Sequence, residues 1–134
     1  MDVDFAFICD YAESGRKIYA LGIGFDTIYA QKVPAVHPHF TLVAQIRVSI
    51  AEVGDKSIVV RLIDADGDNV IPEISGSVHI PPPSPGSTES IGRLLMNFNN
   101  VKFPKFSDYS VHLVVQGNEI VRIPLKVAQP PSTA

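Results

Sequence analysis

The sequence predicts an all-β protein, a two-sheet Greek-key sandwich of about eight strands, with one domain over residues 1–127. Three observations predict it. Apolar and polar residues alternate with a period of two in segment after segment, as strand side chains must when successive residues point to opposite faces. Gly, Asn and Asp punctuate those segments at short intervals. The Pro-rich stretches "IPPPSPGSTES" and "AQPPSTA" break the pattern, the first as a crossing between sheets and the second as a flexible tail over 128–134. The chain has 134 residues, 46% apolar and 19% charged, which suits one packed core rather than a disordered chain.

In order along the chain, Val3, Phe5, Phe7 and Cys9 form the apolar face of an opening strand. The turn "YAESGRKIY" leads to a second strand through Tyr19, Leu21 and Ile23. In "FTLVAQIRVSI", Leu42, Ala44, Ile46, Val48 and Ile50 share one face, and Thr41, Gln45, Arg47 and Ser49 the other. After the turn "EVGDK", Ile58, Val60 and Leu62 alternate with Ser57, Val59 and Arg61. "ISGSVHI" is a short strand, and "IGRLLMNF" is read as strand over one or two helical turns because its neighbours are strands. Tyr109, Val111, Leu113 and Val115 alternate with Ser110, His112 and Gln116. A hairpin turn at Gly117 and Asn118 then leads into Val121, Ile123, Leu125 and Val127. Ile46, Val60, Leu62, Val111 and Leu113 hold the clean inward register and are the expected core.

Asp108-Tyr109 stands just before an alternating strand, a Gly-Asn turn and a final strand. A tyrosine there can return its hydroxyl to the backbone, the tyrosine corner of immunoglobulin-like sandwiches, although the usual cysteine pair and tryptophan are absent. The stretches "DFAFICDYAE", "HFTLVAQIRVS", "DKSIVVRLIDADGDNVIP" and "SDYSVHLVVQGNEIVRIPLKV" together resemble a family of small bacterial proteins of unknown function, immunoglobulin-like or C2-like in fold. The resemblance spans nearly the whole chain and implies a single all-β domain from a bacterium. It carries over no catalytic residue.

A net charge of -3 argues against a nucleic-acid binder and against docking on anionic membranes. The start, "MDVDFAFICDY", lacks a basic n-region, and no apolar run approaches the ~20 residues of a bilayer span. Cys9 is the one cysteine, so no intramolecular disulfide forms, and a cytoplasmic setting is expected.

Two groups have metal-ligand character. Asp64, Asp66 and Asp68 occupy alternate positions in "RLIDADGDNVIP". An EF-hand loop starting at Asp64 fails, with Asn69 at its sixth place and Ser75 at its twelfth. A C2-type site needs acids from a second loop, and Asp26 and Asp55 form no comparable pair. The expected reading is a turn capped by its own side chains, with Gly67 at positive φ. His37 and His39 in "VHPHF" share a face on an extended chain, but Val43 and Ala44 stand where a cupin-type glutamate would follow, so surface residues are expected. His79 and His112 fall on polar strand faces. No metal, cofactor or catalytic residue is assigned. Cys9 is read as core, there is no GxSxG elbow, and the "PxxP" spacing of Pro82 and Pro85 lacks an orienting basic residue. "VKFPKF" is read as an apolar loop plugging one end of the molecule.

Function is therefore expected to be that of a non-enzymatic interaction module. The alternatives are a calcium- or metal-dependent module using Asp64, Asp66 and Asp68, or an enzyme whose site is assembled from scattered residues. Val43, Val59, Ile63 and Val114 fall in the outward register and would form an apolar stripe. The chain's own segment "TIYAQKVPAVHPH" is long enough to cover part of it, and otherwise a second copy is favoured over an unidentified protein partner.

Overall fold

The computed structural model describes residues 1–131. Ten strands follow in order: β1 (Asp2–Cys9), β2 (Tyr11–Ser14), β3 (Ile18–Leu21), β4 (Thr27–Tyr29), β5 (Ala35–Ser49), β6 (Gly54–Asp64), β7 (Ile74–Ile80), β8 (Glu89–Phe103), β9 (Ser107–Val115) and β10 (Asn118–Ala128). A single 3-10 turn, Ile50–Glu52, lies between β5 and β6. The chain is all-β, and "IGRLLMNF" is strand. No helix of the described residues is long and apolar enough to cross a membrane.

The strands form three sheets, ordered β1-β5-β8, β4-β10-β9-β6-β7 and β2-β3. β5 and β8, fifteen residues each, run antiparallel with Leu42 opposite Met96 and Val43 opposite Leu95. Phe40, Leu42, Ala44 and Phe98 from this sheet share one core with Val60, Leu62, Val111, Leu113 and Leu125 from the five-stranded sheet. The Phe40 and Phe98 rings stack with centroids 4.6 Å apart. Of the expected core, Val60, Leu62 and Val111 are fully buried, Leu113 is 1% exposed and Ile46 is 4% exposed. Residues 81–88, with their prolines, carry the chain from β7 in one sheet to β8 in the other. Tyr109 donates its hydroxyl to the Lys105 carbonyl at 2.8 Å and accepts the Lys105 N–H at 3.1 Å, the expected return to the backbone. Its ring meets Phe103 edge-on.

Several expectations are corrected. The opening strand breaks at Asp10, and β2 folds back on β3 through Gly15–Lys17. In β1 the partners of Phe7 and Cys9 are Val43 and Thr41, so these residues face away from the main core, and Ile8, opposite Leu42, points into it. Ile50 is 63% exposed because the strand has already turned into the 3-10 segment. The stretch "TIYAQKVPAVHPH" is no covering loop: it contributes β4, parallel to β10, and the first residues of β5. The hairpin after β9 turns at Gln116 and Gly117, both at positive φ, and Asn118 already pairs with Val115. Such a two-residue turn matches the twist of the strands it joins. In "VKFPKF", Val101 and Phe103 are buried within β8, while Phe106 stays 38% exposed. Of the expected tail over 128–134, Ala128 ends β10 opposite Tyr29, and 132–134 lie outside the described residues.

Candidate functional site

The aspartate turn has the self-capped geometry. Asp64 Oδ1 accepts the Asp66 N–H at 2.9 Å and the Asp68 N–H at 3.0 Å, and Gly67 takes φ +86. Backbone bonds from Asp64 N–H to Asp68 O and from Gly67 N–H to Asp64 O close the loop. The three side chains do converge, with one oxygen of each within 4.8 Å of the others. One Asp64 oxygen is already held by two amides. Asp55 pairs instead with His79 at 2.8 Å, and Asp26 accepts the Thr27 hydroxyl at 3.0 Å.

His37 and His39 do not converge. His37 packs against the rings of Phe25 and Phe40, and its Nε2 is buried without a partner. Burial lowers its pKa. His39 lies against Tyr11, with Nδ1 2.7 Å from the Asp10 carbonyl and Nε2 3.3 Å from Asn97 Oδ1. The two rings thus part within β5, one against the core aromatics and the other towards the β2-β3 hairpin.

The expected apolar stripe separates into two places. Val43 is fully buried on the outer side of β5, where the β2-β3 hairpin covers it with Cys9 and Ala12. Burial raises the Cys9 thiol pKa, and its Sγ donates to the carbonyls of Tyr11 and Thr41. Val59 and Val114 face each other across β6 and β9, with Ile63 opposite Ser110, and all three are half-buried. The hairpin in turn exposes Tyr11, Tyr19 and Leu21.

β8 is hydrogen-bonded to β5 along its length but, among the described residues, has no strand on its other side. It contains no proline. Its inward residues Leu94 and Met96 are only half-buried, although their neighbour Phe98 is buried. Arg93 is held over the outer face, its Nε donating to Gln45 Oε1 at 2.9 Å and Nη1 to the Arg16 carbonyl at 3.1 Å.

A second constellation lies on the outer face of the five-stranded sheet. Ser110 and His112 alternate on β9, and Ser110 Oγ lies 2.7 Å from His112 Nε2. His112 Nδ1 is hydrogen-bonded to Glu119 Oε1 on β10. Ser110 and His112 are 6% and 7% exposed. A cleft of about 170 Å³ opens on Ser110, His112, Arg122 and Asp64. Arg61 and Arg122 are the cross-strand partners of His112. Arg61 is bound to Glu73 at 2.9 Å, and Arg122 makes no ion pair among the described residues. Sequence reading placed His112 on a polar face but missed this relay. Its signal is Ser-x-His followed, after a tight turn, by Glu. The bulge between Glu119 and Val121 sets how that Glu meets the histidine, and spacing alone does not reveal a bulge.

A family model described as a family of unknown function, DUF6941, matches residues 4–128. No curated protein matches the chain.

Proposed function

The chain belongs to this family of unknown function, DUF6941, and from that premise we propose that it is an interaction module working by strand addition, with a second copy of itself as the partner. The observation that carries this reading is the unpaired edge of β8. An open strand edge is a row of amides and carbonyls seeking a partner, and edges that must stay free are blunted with proline, inward charges or short length. β8 has fifteen residues, no proline and no charge among its inward residues Leu94, Met96 and Phe98.

The topology supports an immunoglobulin-like sandwich. The order β1-β5-β8 matches strands A, B and E of that fold, and β10-β9-β6-β7 matches G, F, C and C′. The hydroxyl of Tyr109, near the start of the F-like strand, adds the tyrosine corner. In immunoglobulin domains strand D lies beside E, so the open side of β8 is the place of an absent D strand. A two-fold axis at Leu94 would set a second β8 there antiparallel. Met96 then faces Gly92, Arg93 faces Leu95 and Glu89 faces Asn99, so no like charges meet. A bacterial, cytoplasmic setting is part of this reading, supported by the family resemblance and by the free, buried Cys9.

Light scattering on the purified protein at micromolar concentration tests it. The expected mass is twice 14.5 kDa. Met96→Lys should return it to a monomer that still unfolds cooperatively, at a lower melting temperature because Met96 packs against the core. Hydrogen exchange should show β8 amides protected in the dimer and open in the variant. A wild-type monomer with fast-exchanging β8 amides defeats the proposal.

A further inference from the structure

We propose that Ser110 is a nucleophile, and that the Ser110–His112–Glu119 relay with its cleft is a site for acyl transfer from small neutral carboxylic esters. This goes beyond strand addition and is independent of it, since β8 belongs to the other sheet.

The order of the contacts is the one that activates a hydroxyl. Glu119 accepts from Nδ1–H, which fixes the tautomer that leaves the Nε2 lone pair towards Ser110 Oγ. Ser110 and His112 line the cleft, and Glu119 stands outside its lining. Glu119 is therefore a positioning residue. β9 is paired on both sides, by β6 and β10, so its ladder amides are committed. The charge developing on a substrate carbonyl must be met by a side chain, and Arg122 lines the same cleft without an ion pair of its own. Asp64 and Asp108 also line it, which disfavours anionic substrates. Ile63 and Ala65 supply an apolar wall, and about 170 Å³ admits a short acyl group.

The chemistry balances with water as the only co-reactant. Ser110 Oγ attacks the ester carbonyl carbon while its proton passes to His112 Nε2, and the oxyanion forms beside Arg122. The intermediate collapses, the acyl C–O bond breaks, and the alcohol leaves with the proton from Nε2. Water then attacks the acyl-serine, giving its proton to Nε2. The carboxylic acid departs as that proton returns to Oγ.

The test treats the whole protein with a fluorophosphonate probe and, separately, with p-nitrophenyl acetate. One adduct per chain is expected, mapped by peptide mass spectrometry to Ser110 and absent in Ser110→Ala. Labelling and ester hydrolysis should fall at least about a hundredfold in His112→Asn. Arg122→Met should lower kcat more than KM. Glu119→Gln should displace the pH profile of hydrolysis, which a merely structural role would leave in place. Failure of the wild-type protein to form an adduct, modification elsewhere, or hydrolysis unchanged in Ser110→Ala would overturn the proposal. Because the wild-type adduct and its position are decisive alone, a variant that fails to fold does not blunt the test.

Discussion

His37 shows how one buried atom gives the protein a pH dependence. Its Nε2 has no partner, its ring packs on Phe25 and Phe40, and burial holds its pKa below 6.5. The folded state therefore favours the neutral ring, and on acidification the unfolded chain takes up the proton first. The stability associated with neutral His37 is intact above pH 6.5 and falls as the pH drops through that value towards the lower folded pKa. His37→Phe removes the orphan nitrogen and this titration together. Its urea midpoint should lie higher than that of the wild type at neutral pH, by the equivalent of about 1 kcal/mol. The advantage should widen at mildly acid pH. An unchanged gap between the two pH values would contradict this account. The sequence shows a histidine near the entrance of a strand, but not that its ring packs against Phe25 and Phe40.

At the scale of elements, β6 was legible because it buries one face, so alternation reports burial directly, and β9 was legible because its apolar and polar residues alternate, although Ser110 and His112 on its polar face are buried as well. β5 was harder to read. Phe40 to Ile46 are all buried, since the main core covers one side and the β2-β3 hairpin part of the other. Its polar residues hide in hydrogen bonds, Thr41 donating to Asn97 and Gln45 donating to Asp4 while accepting from Arg93. Period two therefore marked β1 and β5 as strands without showing that a hairpin roofs their outer side. The roof can be probed through Cys9. Wild-type Cys9 should resist an aromatic disulfide reagent, whereas Ala12→Glu, placing a charge in that small cluster, should raise the labelling rate at least about tenfold by local opening. Equal rates would mean that the hairpin does not gate the thiol. The aspartate turn gives a second prediction at this scale. With Asp64 Oδ1 occupied by two amides, melts in chelator and in millimolar calcium should coincide. A rise of several degrees with calcium would show a ligand stabilising the folded state by mass action.

Across the whole molecule, strand identity was far more legible than strand partnership. Pairings such as β5 with β8 and β6 with β9 join residues remote in sequence, and nothing local specifies them. The same gap hid the Ser110–His112–Glu119 relay, which exists only once β9 and β10 are in register with their bulge. Both main sheets depend on one core, so Leu62→Ala, deep within it, should cost about 2–5 kcal/mol and lower a single cooperative transition. Chemical denaturation followed by fluorescence and circular dichroism would show it, and two separated transitions would mean that the sheets unfold independently. The position of β10 has a consequence for synthesis. It lies between β4 and β9 and supplies Val121, Leu125 and Val127 to the core. A nascent chain that has released everything up to Gly117 from the ribosome still has a gap in the middle of its largest sheet. The early segment β4 then has no strand to join, and β9 has an open flank. Completion of the fold must wait for β10 to emerge, so a message truncated before that point would deliver a chain with exposed strand edges to the cell's chaperones and proteases.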